Sequence, residues 1–137
     1  MKKTIRKKKT PRQRLEIRLW ELCKAYIRLR DNDTCQKCGK KVYGQSADTS
    51  HIYCKNRYYS MKYDEMNLMV KCMGCHKWWH NCPLETFVWF GKTFPERDDY
   101  LNVRKKVVKK LTLLDLEDLI EEYKDKIADF KVGREMG

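Results

Sequence analysis

Behind Pro11, the apolar residues Leu15, Leu19, Leu22, Tyr26 and Leu29 recur at spacings of 4, 3, 4 and 3, the signature of one helix face. The turn-forming run Arg30-Asp31-Asn32-Asp33 ends that pattern, so a helix is predicted over residues 12–31. Residues 34–72 contain Gly39, Gly44 and β-prone pieces at Lys41-Val42-Tyr43 and from Thr49 to Tyr53, which predict two short strands and loops. A short helix is expected from Met73 to Asn81, stopped before Pro83, and another from Leu84 to Gly91. Pro95-Glu96 opens a helix to about Lys109, since proline suits the first helical position. Thr112-x-x-Asp115 resembles a capping box with Asp in the acidic place. Behind it, Leu113, Leu116, Ile120, Tyr123, Ile127 and Phe130 form a second stripe at spacings of 3, 4, 3, 4 and 3. The fold class is α+β, rich in helix. The two stripes have two readings: each buries a face against the central module, or they pair two chains in a homodimer.

Charge adds a partner to this picture. The 137 residues carry 31 Lys+Arg against 19 Asp+Glu, a net of +12. Residues 1–14 hold eight bases and no acid, while residues 111–137 hold eight acids and four bases. Residues 1–11 are therefore read as a basic arm, too repulsive to pack, in which Lys7, Lys8 and Lys9, with Arg12 just beyond, grip phosphates. The alternative is a solubilising tail. A small, strongly basic chain points to nucleic acid first. No apolar run reaches the roughly 18 residues of a membrane span, and no apolar stretch follows the N-terminal bases as in a signal peptide. The expectation is no membrane partner and a reducing, cytoplasmic setting.

Cysteine and histidine bring in chemistry. Cys35-x-x-Cys38-Gly39 and Cys72-x-x-Cys75 are two knuckles that place four thiolates around one structural zinc, with Gly39 reversing the chain. The plain alternative is four unrelated thiols. Cys23 falls among helix core positions and reads as a small hydrophobe, while Cys54 and Cys82 have no assigned role. The three histidines are His51, in a β-prone segment, and His76 and His80, which share a helix face one turn apart. Asp48 and Ser50 share one face of an extended strand, so Asp48 is a tentative further ligand. Lys55, Arg57, Lys62 and Lys77 are candidates to hold a nucleic-acid strand, and Tyr58-Tyr59 interleaves aromatics with those bases.

The order His51…Asn67…His76-x-x-x-His80, framed by the two knuckles, resembles an HNH nuclease with a ββα-metal core. Further pieces resemble the NinG/Rap recombination endonucleases of lambdoid phages: Ala25 to Asp31, Cys35-Gln36-Lys37-Cys38-Gly39, Ser50-His51-Ile52-Tyr53, Met61 to Leu68, and Cys72-Met73-Gly74-Cys75-His76. The resemblance implies a nuclease core over 32–92, an N-terminal helix, and a helical extension over 93–137. It implies His51 as general base, Asn67 as its orienter, and His76 and His80 as ligands of a catalytic divalent metal. The donor set favours Mn²⁺, Zn²⁺, Co²⁺ or Ni²⁺ over Mg²⁺. The implied substrate is branched DNA such as a Holliday junction, cut in a bacterial host cytoplasm. Where the family often has a metal-binding Asp or His before the base, this chain has Ser50. Two rival readings stand beside it: a zinc-stabilised DNA-binding recombination protein without catalysis, and a sequence-preferring HNH nuclease on linear duplex. For the single residues the plain alternatives are a packed strand histidine at 51, a structural zinc ligand at His76, a surface residue at His80 and a turn residue at Asn67.

Overall fold

The computed structural model describes residues 7–136; Lys2, Lys3 and Arg6 of the expected basic arm lie outside the described residues. The elements are α1 (Pro11–Arg30), β1 (Asp48–His51), β2 (Leu68–Lys71), α2 (Met73–Asn81), α3 (Pro83–Thr93), α4 (Pro95–Arg104) and α5 (Leu113–Met136). Three single-turn 3-10 segments punctuate the loops around β1 and β2. Among the described residues no helix is long and apolar enough to cross a membrane.

Capping chemistry starts α1 and α5. Thr10 Oγ1 accepts from the Gln13 N–H at 3.1 Å, and Gln13 Oε1 accepts from the Thr10 N–H at 2.9 Å. At α5 the Asp115 N–H donates to Thr112 Oγ1 at 3.1 Å, and the Thr112 N–H donates to Asp115 Oδ2 at 2.8 Å. The chain leaves α1 through Asn32 and Asp33, both at positive φ (54° and 47°), where Asn and Asp are the side chains best tolerated.

The two predicted stripes meet each other within the chain. The deepest line on α1 is Leu19, Cys23 and Ile27, one position round from the expected line through Leu22 and Tyr26, which are half-buried. It packs with Leu116, Ile120 and Tyr123 of α5. Tyr26 meets Tyr123 edge-on at 5.9 Å, and farther along Arg134 donates to Asn32 Oδ1 at 3.4 Å, so the two helices run parallel. Burial pushes the Cys23 thiol up to about 12, in keeping with a small core residue. The middle of each stripe is thus buried within the chain, while Leu113 at the start of the second stays exposed.

Between these helices and the rest lies a two-stranded antiparallel hairpin with register Asp48↔Lys71, Thr49↔Val70, Ser50↔Met69 and His51↔Leu68. Opposed residues share a face. Thr49, His51, Leu68 and Val70 face α1 and α5, and Leu68 and Val70 join that core. Asp48, Ser50, Met69 and Lys71 face α2 to α4, where Met69 packs with Trp79, Phe90 and Leu101. A two-stranded sheet leaves outer edges unpaired, and side chains close the β2 edge. Asp31 Oδ2 accepts from the Val70 N–H at 2.9 Å, the Leu68 carbonyl accepts from Arg30 at 2.6 Å, and Arg97 donates to the Met66 carbonyl at 2.6 Å.

Two expected elements differ. Lys41-Val42-Tyr43 contributes only an isolated bridge, Thr34↔Lys41, because the turn at Gly39 serves the cysteine knuckle rather than a ladder. Helix α4 ends at Arg104, not near Lys109. After buried Leu101, the run Lys105-Lys106-Val107-Val108-Lys109-Lys110 offers no residue to the core, and Ser60 Oγ donates to the Val107 carbonyl at 2.8 Å instead.

Candidate metal centres and the histidine sites

The first knuckle is a backbone turn: the Gly39 N–H donates to the Cys35 carbonyl at 2.9 Å, with Gly39 at φ +77°, and the Cys35 N–H donates to Lys40 O at 2.8 Å. The Gln36 N–H bonds Val70 O at 3.0 Å and ties this turn to β2. The second knuckle is the start of α2, where Cys72 caps the helix and its Sγ accepts from the Cys75 N–H at 3.5 Å. The four ligand atoms all lie within 4.8 Å of one another, with Cys38 Sγ and Cys72 Sγ 3.8 Å apart. A tetrahedron with zinc–sulfur bonds of about 2.3 Å has edges of about 3.8 Å. Burial pushes the Cys35 thiol up, but backbone N–H groups of Cys38, Cys72 and Lys37 outweigh it and bring it down to about 7. Desolvation and the neighbouring sulfurs push Cys75 up. Four thiolates this close cannot all ionise without a cation, which is what a structural metal such as zinc supplies.

A second cluster joins β1 and α2. His76 Nδ1 contacts Asp48 Oδ2, and His76 Nε2 lies 2.9 Å from His80 Nε2. A carboxylate only accepts, so His76 Nδ1 carries the proton at that contact, and between the two Nε2 atoms one donates to the other. His76 and His80 are the residues that would hold a divalent metal on this face. Asp48, the further ligand expected from the sequence, contacts His76. Its carboxylate is engaged at Nδ1, across the ring from Nε2, where it sets the tautomer and orientation of His76. Desolvation first, then His76 and Lys71, lowers the His80 pKa. On the same hairpin face, Ser50 Oγ and Lys71 Nζ are buried without a hydrogen-bond partner, and Lys71 sits 3.4 Å from the centre of the Trp79 ring. Burial brings Lys71 down to about 7 against the pull of Cys35, Asp48 and Cys75.

His51 lies on the other face. Its ring stacks on Trp20 of α1 at 5.2 Å and 14°. Its Nε2 is 2.9 Å from the Lys62 carbonyl, which only accepts, so Nε2 carries the proton and Nδ1 keeps its lone pair. Desolvation, partly offset by that carbonyl and assisted by Lys55, Lys62 and Lys71, pushes the imidazole down to about 4. Asn67 is fully buried but makes no hydrogen bond to the His51 ring. Its Oδ1 accepts from Tyr53 N at 2.8 Å, and its Nδ2 donates to the carbonyls of Tyr53 and Met61 at 3.1 Å each. It clamps the loop that precedes Lys62 and so positions His51 through the backbone.

Comparison with known protein families, curated proteins and solved structures finds no match.

The structure therefore brings together Asp48, His76 and His80, and separately His51 with Lys7, Lys8, Lys9, Lys55 and Lys62 around one cavity. It does not bring His51 to the helix histidines, because β1 turns residues 48 and 51 to opposite faces. Arg57 is exposed and stacks over Tyr58 at 5.7 Å. Lys77 is exposed on α2, and Arg12 is engaged with Glu16 at 3.7 Å and with the Tyr59 hydroxyl. Cys54 is exposed and Cys82 caps the α2–α3 junction. Trp20, Lys71, Arg30 and Arg97 were not singled out from the sequence; only the Arg30-Asp31 pair at the helix end carried a signal.

Proposed function

We propose that this chain is a metal-dependent endonuclease that hydrolyses DNA phosphodiesters on an HNH-type ββα-metal core stapled by zinc, with branched recombination intermediates as its substrate. The observation that supports it best is His51. It is neutral, its Nδ1 lone pair is kept free by the Lys62 carbonyl, and it lines a cavity rimmed by lysines. A neutral imidazole is the group to take a proton from an attacking water, and ammonium groups hold the phosphate it attacks. The succession β1, β2, α2 and the His76–His80 pair support the metal half of the reading. When bound, a divalent ion at that pair supplies charge stabilisation for the phosphorane and the leaving oxygen. Asp48 orients the His76 ring through Nδ1, and Asn67 fixes the loop that holds His51.

A second reading, a zinc-stabilised DNA-binding protein without cleavage, is favoured by one observation: the metal pair and His51 are on opposite faces of the hairpin. The test is a panel of four-way, forked, single-stranded and linear duplex DNA with Mg²⁺, Mn²⁺, Co²⁺, Ni²⁺ and Zn²⁺. Branched DNA is cut best by the wild type, and His51→Ala loses about 10²–10⁴ in rate, the usual contribution of a general base. Undiminished cleavage by His51→Ala overturns the base role. Tight binding with no cleavage by any metal leaves the second reading. Preferred cleavage of one linear sequence removes the branched substrate.

A further inference from the structure

The cavity beside His51 has more in it than a base needs. It encloses about 600 Å³, within the range of small-ligand clefts. Lys7, Lys8, Lys9, Lys55 and Lys62 line it, and none of them is in an ion pair among the described residues. Its one acid, Glu16, is already engaged by the Tyr59 hydroxyl at 2.8 Å and by Arg12. The rim is thus strongly cationic. The floor is not: it is Trp20, stacked on His51, with Ile17 and Tyr63 beside it. Ile17 is 46% exposed, an aliphatic side chain turned out of α1 into a lysine-ringed hollow.

We propose that this cavity takes a single unpaired nucleotide of a DNA strand, its base against Ile17 and Trp20 and its flanking phosphates on the lysines. The proposal rests on the nucleic-acid reading above and adds what is recognised. A bare phosphate site has no use for an apolar floor. A base within duplex stacks hides the face that such a floor would touch, whereas every unpaired base offers one. The cations also run past the cavity from Lys55 to Arg57, which suits a strand more than a free mononucleotide. Selectivity for forked, gapped or bulged DNA then originates at this floor, because those structures supply unpaired nucleotides, whereas linear duplex and a fully paired four-way junction do not.

Binding measured without added divalent metal, where hydrolysis does not interfere, tests this. The probes are labelled dT12, a blunt 12-base-pair duplex, and the same duplex with one bulged thymidine, at about 0.1 M salt. The first and third should bind about 10-fold tighter than the blunt duplex, the worth of one stacked base. Ile17→Glu, at an exposed position that folding does not need, and Lys62→Glu should each abolish that preference. Lys131→Glu, the same charge change far along α5, should keep it. Equal binding of blunt and bulged duplex, or an intact preference in Ile17→Glu, overturns the proposal. So does competition by dTMP as effective as by dT12, which would make the cavity a free-nucleotide site. Preference intact but cleavage absent removes the nuclease reading and leaves this one standing.

Discussion

The two faces of the β1–β2 hairpin handle histidine in opposite ways. On the α2 side, His76 and His80 point nitrogens at each other on a partly open helix surface, with Asp48 behind them. On the α1 side, His51 is stacked under a tryptophan, hydrogen-bonded to a carbonyl and surrounded by lysines. The first arrangement suits a cation, since two imidazole nitrogens meet there beside a carboxylate. The second repels one, since five ammonium groups already crowd it. A sheet only two strands wide therefore separates a cation-seeking surface from an anion-seeking one, and the four-cysteine cluster pins both to the same frame.

The largest effect expected on this contrast is loss of that frame. Cys72→Ser, or a strong chelator, should remove about one zinc per chain and abolish cooperative unfolding, since structural zinc contributes on the order of 10–16 kcal/mol in small modules. Metal analysis with near-ultraviolet circular dichroism measures both. A chain without zinc that keeps its melting transition would remove the cysteines from the account.

Next come the two cores. Leu116→Ala and Leu101→Ala each delete a fully buried side chain, on the α1 side and the α4 side respectively, and each should cost about 2–5 kcal/mol in urea unfolding. If the hairpin insulates the cores, the double variant should be additive within about 0.5 kcal/mol. Strong coupling would show that the faces act as one body.

A smaller effect separates a ligand from an orienting carboxylate. Asp48→Asn should weaken Mn²⁺ or Co²⁺ binding at the histidine pair by about 10–100-fold without abolishing it, whereas His76→Ala abolishes it. Calorimetric titration of the zinc-loaded protein reads this, and equal loss in both variants would return Asp48 to the ligand set.

The smallest is a pH slope. His51 sits near 4 in the folded chain against about 6.5 unfolded. Above pH 6.5 both states are neutral and nothing is lost. As pH falls from about 6.5 to about 4 the unfolded chain takes up a proton that the folded chain refuses, so stability declines. His51→Gln should lose less stability than wild type between pH 7 and 5, with zinc-linked and carboxylate-linked losses common to both proteins. Identical slopes would place His51 in a wetter setting than the stacked one.

Much of the frame could be read in advance because it rests on local chemistry: Pro11 and Pro95 at helix starts, the Thr112–Asp115 cap, and the knuckle spacing that brings four sulfurs together. Strand β2 was not legible. Leu68-Met69-Val70-Lys71 is buried on both faces and shows no alternation, and its lysine disguises a core position. The separation of the histidines was half visible, since the alternation that puts Asp48 with Ser50 puts His51 opposite. What no spacing reveals is which edge of the His76 ring Asp48 meets, because that depends on side-chain torsions fixed by packing.

The parallel packing of α1 and α5 carries a consequence for the order of assembly. The contact between Tyr26 and Tyr123 spans almost a hundred residues, so α1 waits for α5. Contacts so distant in sequence form slowly because the intervening chain must first be brought round. A metal that joins Cys35 and Cys38 to Cys72 and Cys75 closes residues 35–75, less than half of that span, early. During synthesis, Leu19, Cys23 and Ile27 stay bare until α5 has emerged, a sticky stripe on a nascent chain. Zinc supply should therefore govern how fast the chain matures, and a nascent chain halted before α5 should be the form that aggregates.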